Sequence, residues 1–118
     1  MTRLRITVLE RTFNREIAES YGSDAFKTGD SFSPCPRFED GQGFLWDGAA
    51  PPPGFCPRAW ADIHGEIRMV QSGGAHDFLK RSHAAISCCT DGIRPVVFRI
   101  ERVRDPMGGG DHTSGAVP

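Results

Sequence analysis

Leu4, Ile6 and Val8 alternate with Arg5 and Thr7, which is the period of a strand with one buried face. The pattern predicts a first strand over about residues 3–11. Asn14 then stands where a helix N-cap belongs, ahead of Arg15-Glu16-Ile17-Ala18-Glu19-Ser20-Tyr21, and Gly22 offers a left-handed stop. In that short helix Ile17 and Tyr21 would face inward. Residues 22–54 are rich in Gly, Pro, Ser and Asp, broken only by Gly43-Phe44-Leu45-Trp46-Asp47, so a long ordered loop carrying one short strand is expected. A loop of that length is unusual unless it is functional.

The clearest helix starts at Cys56-Pro57, because proline suits a first helical turn and Trp60, Ile63, Ile67 and Val70 recur at helical spacing. Gly73-Gly74 would end it. A further helical turn is expected between Asp77 and about Ala85, and Ile86-Ser87-Cys88-Cys89 then reads as a short strand entering the turn Asp91-Gly92. After Pro95, Val96, Phe98 and Ile100 alternate with Val97, Arg99 and Glu101, a β-branched and aromatic pattern suited to a central strand. These elements predict an α+β class: a small antiparallel or mixed sheet, holding residues 3–11 and 95–103, packed on one main helix. Residues 1–104 form the expected single domain; residues 105–118, a Gly-rich stretch, are expected to be a disordered tail.

At 118 residues the chain can bury a real core without crosslinks. The formal charge of −1 is spread without a Lys/Arg block, which argues against a nucleic-acid partner. The first ten residues lack the unbroken apolar core of a signal peptide, and no stretch has the length of a membrane span. Four cysteines without an export signal then point to a cytoplasmic, reducing compartment, where thiols serve more often as thiolates or metal ligands than as structural disulfides.

The cysteines carry the candidate chemistry. They stand in Pro34-Cys35-Pro36, in Gly54-Phe55-Cys56-Pro57 and as the pair Cys88-Cys89, with spacing Cys-x20-Cys-x31-Cys-Cys. Zinc ribbons and ferredoxins place ligands two to four residues apart, so the spacing alone is a weak metal signal. Local geometry adds to it. Cys56 sits at a helix start, where unpaired N–H groups and the helix dipole favour a negatively charged sulfur. Cys35 is held between two prolines that stiffen its loop. Adjacent strand residues point to opposite faces, so only one of Cys88 and Cys89 can share a site with Cys35 and Cys56. Three converging sulfurs would leave zinc, or one iron of an iron–sulfur cluster, with an open position for chemistry. The competing reading is four buried free thiols, since cysteine behaves as a small hydrophobe.

Asp91 and Arg94 follow the pair. They are either turn chemistry with a surface ion pair, or an acid/base and an anion clamp beside the sulfurs. His64 falls one turn after Trp60 and reads as a histidine beside the apolar stripe, with convergence on Cys56 the sharper alternative. His76 and His83 are expected as exposed histidines more than as a general base or a fourth ligand. Phe44, Trp46 and Trp60 are expected in the core or a pocket wall.

Three segments of the chain, Cys35-Pro36-Arg37-Phe38 with Gly41-Gln42-Gly43-Phe44, Gly54-Phe55-Cys56-Pro57-Arg58-Ala59-Trp60 with Asp62-Ile63, and Cys88-Cys89-Thr90-Asp91-Gly92-Ile93-Arg94-Pro95-Val96-Val97-Phe98, together resemble a family of small, uncharacterised bacterial proteins. That family is marked by CP-x-F-x-x-GQ-x-F, GFC-x-x-AW and CCTDG-x-RPV elements, and the resemblance spans residues 3–103. It brings no established activity. Its pattern includes Cys35, Cys56, Cys88, Cys89, Asp91, Gly92 and Arg94, which lifts them above chance core positions, while the histidines and the Gly-rich tail lie outside the pattern and gain nothing from the resemblance.

Three functions compete on this reading. The first is a thiolate-ligated zinc or iron–sulfur site using Cys35, Cys56, Cys88 and Cys89, in an enzyme or accessory protein acting on a small molecule. The second is a metal-free enzyme with Cys56 as nucleophile or acid/base beside Asp91. The third is a redox-sensing binding module.

Overall fold

A computed structural model describes residues 2–103, so the expected tail lies outside the described residues. The element order is β1 (Arg3–Arg11), α1 (Arg15–Tyr21), α2 (Asp24–Thr28), β2 (Gly43–Trp46), α3 (Pro57–Gln71), β3 (Ala84–Cys88) and β4 (Val96–Val103). The four strands form one antiparallel sheet in the order β2-β1-β4-β3, and α3 packs across one face. This is an α+β fold, and its two longest strands occupy the centre.

The core follows from the alternation. Leu4, Ile6 and Val8 of β1 and Val96, Phe98 and Ile100 of β4 are fully buried. They meet Ala59, Ile63, Ile67 and Val70, which share one side of α3. Proline in the first turn sets where α3 starts. At the other end Arg102 donates from Nη1 to the carbonyls of Val70 (2.8 Å) and Gly74 (2.7 Å), tying the exit of α3 to β4. The guanidinium thus satisfies acceptors that a helix C-terminus leaves open.

The segments between β1 and α3 are fastened by aromatic rings. Phe55 lies 5.1 Å from Phe38, 4.8 Å from Phe44, 5.4 Å from Trp60 and 5.4 Å from Phe98, measured between ring centroids. Gly54, at φ +81°, supplies the left-handed turn immediately before Phe55.

Several local expectations need correction. Ile17 and Tyr21 are exposed, at 49% and 84%, and Ala18 is the residue of α1 that is buried. A helix of only seven residues has no room for a wide apolar stripe, and one small side chain seats it. Asn14 makes no side-chain cap; its Nδ2 instead donates to the carbonyl of Gly92 at 2.6 Å. Gly22 is extended rather than left-handed, and glycine is needed there for space, since a Cβ would lie 2.5 Å from the carbonyl oxygen of Ala18. The long loop contains α2, whose N-cap Ser23 accepts from the amide of Phe26. Residues 77–83 form turns and bends, and β3 starts at Ala84, earlier than the sequence pattern indicates.

The burial difference between the helices gives a direct test. Ile63→Ala should lower the unfolding free energy by about 2–5 kcal/mol in urea titrations. Ile17→Ala should change it by less than about 0.5 kcal/mol, the usual range for an exposed position.

Candidate functional site

One end of the sheet collects most of the candidate residues. β1 ends there at Arg11, β4 begins there at Val96, β3 ends there at Cys88, and α3 starts beside them. Cys56 is the N-cap of α3 and is half-buried; its side chain makes no capping hydrogen bond. Cys35 is also half-buried. Its Sγ accepts from the amide of Arg37 at 3.4 Å, and its carbonyl accepts from Arg11 Nη1 at 2.9 Å. Arg11 is itself fixed by Asp40, whose Oδ1 accepts from the Arg11 amide (3.1 Å) and pairs with Nε (3.3 Å).

The two adjacent cysteines part company. Cys88 is exposed, and its strand neighbours Ala84 and Ile86 mark it as lying on the sheet face away from α3. Cys89 turns to the α3 side and is buried, its Sγ accepting from the amide of Val96 at 3.3 Å while its own amide donates to the Val96 carbonyl at 3.1 Å. Cys89 belongs to the central apolar cluster, and Cys35 and Cys56 pack against that same cluster. Cys35, Cys56 and Cys89 therefore all touch the core of the domain, and Cys88 stands apart on the outer face. Among the described residues no group of three or more His, Cys, Asp or Glu side chains is arranged to hold a metal ion.

The turn after Cys89 is bound to α3. Asp62 Oδ2 accepts from both the amide (2.8 Å) and the hydroxyl (2.9 Å) of Thr90. Arg58 Nη2 reaches the Thr90 carbonyl at 3.4 Å and lies 4.0 Å through Nε from Asp62. Asp91 Oδ1 accepts from the amides of Ile93 (2.9 Å) and Arg94 (3.0 Å), and its Oδ2 faces Arg94 Nε at 3.4 Å. Burial alone would raise the Asp91 carboxyl. The amides of Arg94 and Ile93, with the guanidiniums of Arg94 and Arg58, outweigh it and hold the group below its ordinary value of 3.8. The turn residues Asp91 and Arg94 are thus an ionised carboxylate and a cation two to five residues from Cys89, coupled electrostatically to the first turn of α3.

Arg58, Asp62 and Thr90 fall within the quoted sequence segments but carried no assigned role there, although Arg58 and Asp62 stand at the i,i+4 spacing of a helical ion pair. The histidines go elsewhere. His64 rests beside Trp60, with ring centroids 5.8 Å apart, and its Nδ1 is buried without a hydrogen-bond partner. His76 is not an exposed side chain: its Nδ1 accepts from the amide of Ile86 on β3 at 3.2 Å, and its ring stacks on Phe78. His83 is buried, 3.8 Å from Glu101. It follows the arginine-bound Glu101 into the sheet instead of remaining at the surface.

Asp91→Ala removes two backbone acceptor bonds and should cost about 1–3 kcal/mol at neutral pH. A carboxyl lowered by folding contributes stability above its unfolded value and loses it as pH falls through the lowered folded value. The gap between parent and variant should therefore close below pH 3.8 in acid-unfolding curves. Compared with protein-family models, with curated proteins and with solved structures, the chain matches none of them, so the reading below rests on geometry.

Proposed function

We propose that this chain acts through a cysteine-centred site at the end of the sheet where α3 begins, with Cys56 as the working thiol in a small-molecule enzyme. The observation that carries it is the placement of Cys56, half-buried at the start of α3, beside the turn after Cys89 that Asp62 and Arg58 bind to that helix; Cys35 and Cys89 also lie in or against the core. Cys56 is the one of these three at a helix start, with no side chain capping the first amides of α3. Those amides are the donors that stabilise negative charge on a nearby sulfur or on a bound anion.

Asp91 and Arg94 supply the charged rim. The ionised Asp91 holds Arg94 in place, Arg94 is a cation for an acidic group, and Arg58 joins their turn to the Cys56 end of α3. Cys89, buried and accepting an amide, serves as the wall of the site. A second reading is ligation of zinc or an iron–sulfur cluster by Cys35, Cys56 and Cys89, which requires those side chains to close together. Four free thiols fit a reducing compartment, and the cytoplasm is the proposed location. No helix among the described residues is long and apolar enough to cross a membrane.

Anaerobic purification followed by metal and acid-labile sulfide analysis separates the two readings. A stoichiometric metal lost in Cys56→Ser overturns the metal-free version. For the thiol version, timed alkylation with iodoacetamide and mass spectrometry should find Cys56 modified faster than Cys88, although Cys88 is the more exposed. Cys89 should react only on unfolding. If the rates follow exposure alone, with Cys88 first, Cys56 is not an activated thiol.

A further inference from the structure

The sheet face away from α3 holds a second, chemically different site. A shallow cleft of about 260 Å³ lies over β3, β4 and the end of β1. Its floor is apolar: Leu9, Leu79, Ala84 and Ile86. Leu9 is there because it follows the inward-facing Val8 in the strand alternation. The register between β1 and β4 shifts between Val8 and Glu10, so Leu9 stands at a β-bulge as an extra residue with no paired position on β4, 41% exposed above the sheet.

The rim is cationic. Lys80, Arg81 and Arg99 line the cleft, and no acidic residue is among the described residues lining it. The two guanidiniums are held from behind by one carboxylate. Glu101, 8% exposed, pairs with Arg81 through Oε1 and with Arg99 Nε through Oε2 at 3.2 Å. One carboxylate cannot neutralise two arginines, and Lys80 makes no ion pair among the described residues. The side chains of Arg81 and Arg99 are only 13% and 27% exposed, so their positions are fixed before anything binds.

We propose that this cleft binds a small amphipathic anion, its carboxylate on the rim of Lys80, Arg81 and Arg99 and its hydrocarbon body on the floor of Leu9, Leu79, Ala84 and Ile86. Charge complementarity selects the head, since guanidinium pairs match carboxylate geometry. The apolar floor selects the body. Its volume lies just under the range of about 300–1,000 Å³ usual for drug-sized ligands, so the body is a short chain or a single ring. The site lies across the sheet from the cysteine cluster and does not depend on its chemistry.

The test is an NMR titration of the full chain with octanoate, following the methyl groups of Leu9, Leu79, Ala84 and Ile86. Octanol supplies the same body without charge, and acetate the charge without the body. Octanoate should shift those methyls to saturation with an affinity at least about tenfold above either comparator, and added salt should weaken it. Lys80→Glu, a change at an exposed residue outside the core, should weaken octanoate by about tenfold and leave octanol unchanged, in a spectrum that otherwise matches the parent. Equal binding of octanol, shifts confined to other methyls, or an unchanged octanoate affinity in the variant would each overturn the proposal.

Discussion

The packing of Phe55 is the contact on which the candidate cysteine site depends. Its ring meets Phe38 from the segment before β2, Phe44 from β2, Trp60 from α3 and Phe98 from the central strand β4. Phe38 adds its own contact to Phe98 at 5.2 Å. Edge-to-face aromatic contacts of this kind contribute about 0.5–1.5 kcal/mol each beyond the area they bury. Here they also do the work of connection. Cys56 follows Phe55 directly and Cys35 precedes Phe38 by three residues, so fastening the rings helps to fix the start of α3 at Cys56 and fastens the loop that carries Cys35, which lies in no strand or helix.

The two faces of the sheet divide the polar side chains according to what covers them. On the covered face, polar groups tie the sheet to the helix: Arg102 satisfies carbonyls at the end of α3, and Ser87 donates its hydroxyl to the Glu66 carboxylate of α3 at 3.0 Å. On the other face, charge is concentrated about Glu101, where two arginines are held by a single buried carboxylate. Burying that carboxylate is favourable only while it keeps its partners, so the arginines are fixed by the requirement of Glu101 as much as by any ligand. The same requirement leaves an excess of positive charge facing solvent. His76 resolves a different need on this side of the molecule, since its ring accepts the amide that β3, as an edge strand, would otherwise leave open.

Legibility in the sequence followed the length of the periodic signal. β1, β4 and α3 carry alternation or helical spacing over eight or more residues, and their bounds were readable to within a residue or two. α1 and α2 have seven and five residues, too few for periodicity to distinguish a buried side from an exposed one, and Ile17 was misplaced for that reason. At the site, the opposite orientations of Cys88 and Cys89 followed from strand geometry, but which one met α3 depended on the register of β3 with β4, a long-range pairing that no local pattern encodes. The Asp62–Thr90 and Arg58–Thr90 contacts were hidden for the same reason: they join residues about thirty positions apart. The bulge at Leu9 was hidden too, because an unbroken alternation from Leu4 to Val8 gives no warning that the next residue will be doubled against one partner.

The segment from Cys89 to Pro95 shows why a short turn can need so many specified residues. It is held from three directions: Thr90 by Asp62 on α3, the Gly92 and Ile93 carbonyls by Asn14, and the Pro95 carbonyl by the amide of Thr12 after β1. Asp91 adds internal closure by accepting two amides within the turn. A connection of this length between antiparallel strands would ordinarily be among the more mobile parts of a fold. With its backbone groups engaged by a helix, a strand end and its own carboxylate, it becomes instead the part that sets where Cys89 and Arg94 stand relative to Cys56. Catalytic and binding geometry requires groups held within a fraction of an ångström by partners that are themselves fixed. Asp62, Asn14 and Asp91 together hold one seven-residue connection at the end of the sheet where α3 begins, and so fix the separation of Arg94 and Cys89 from the first turn of that helix.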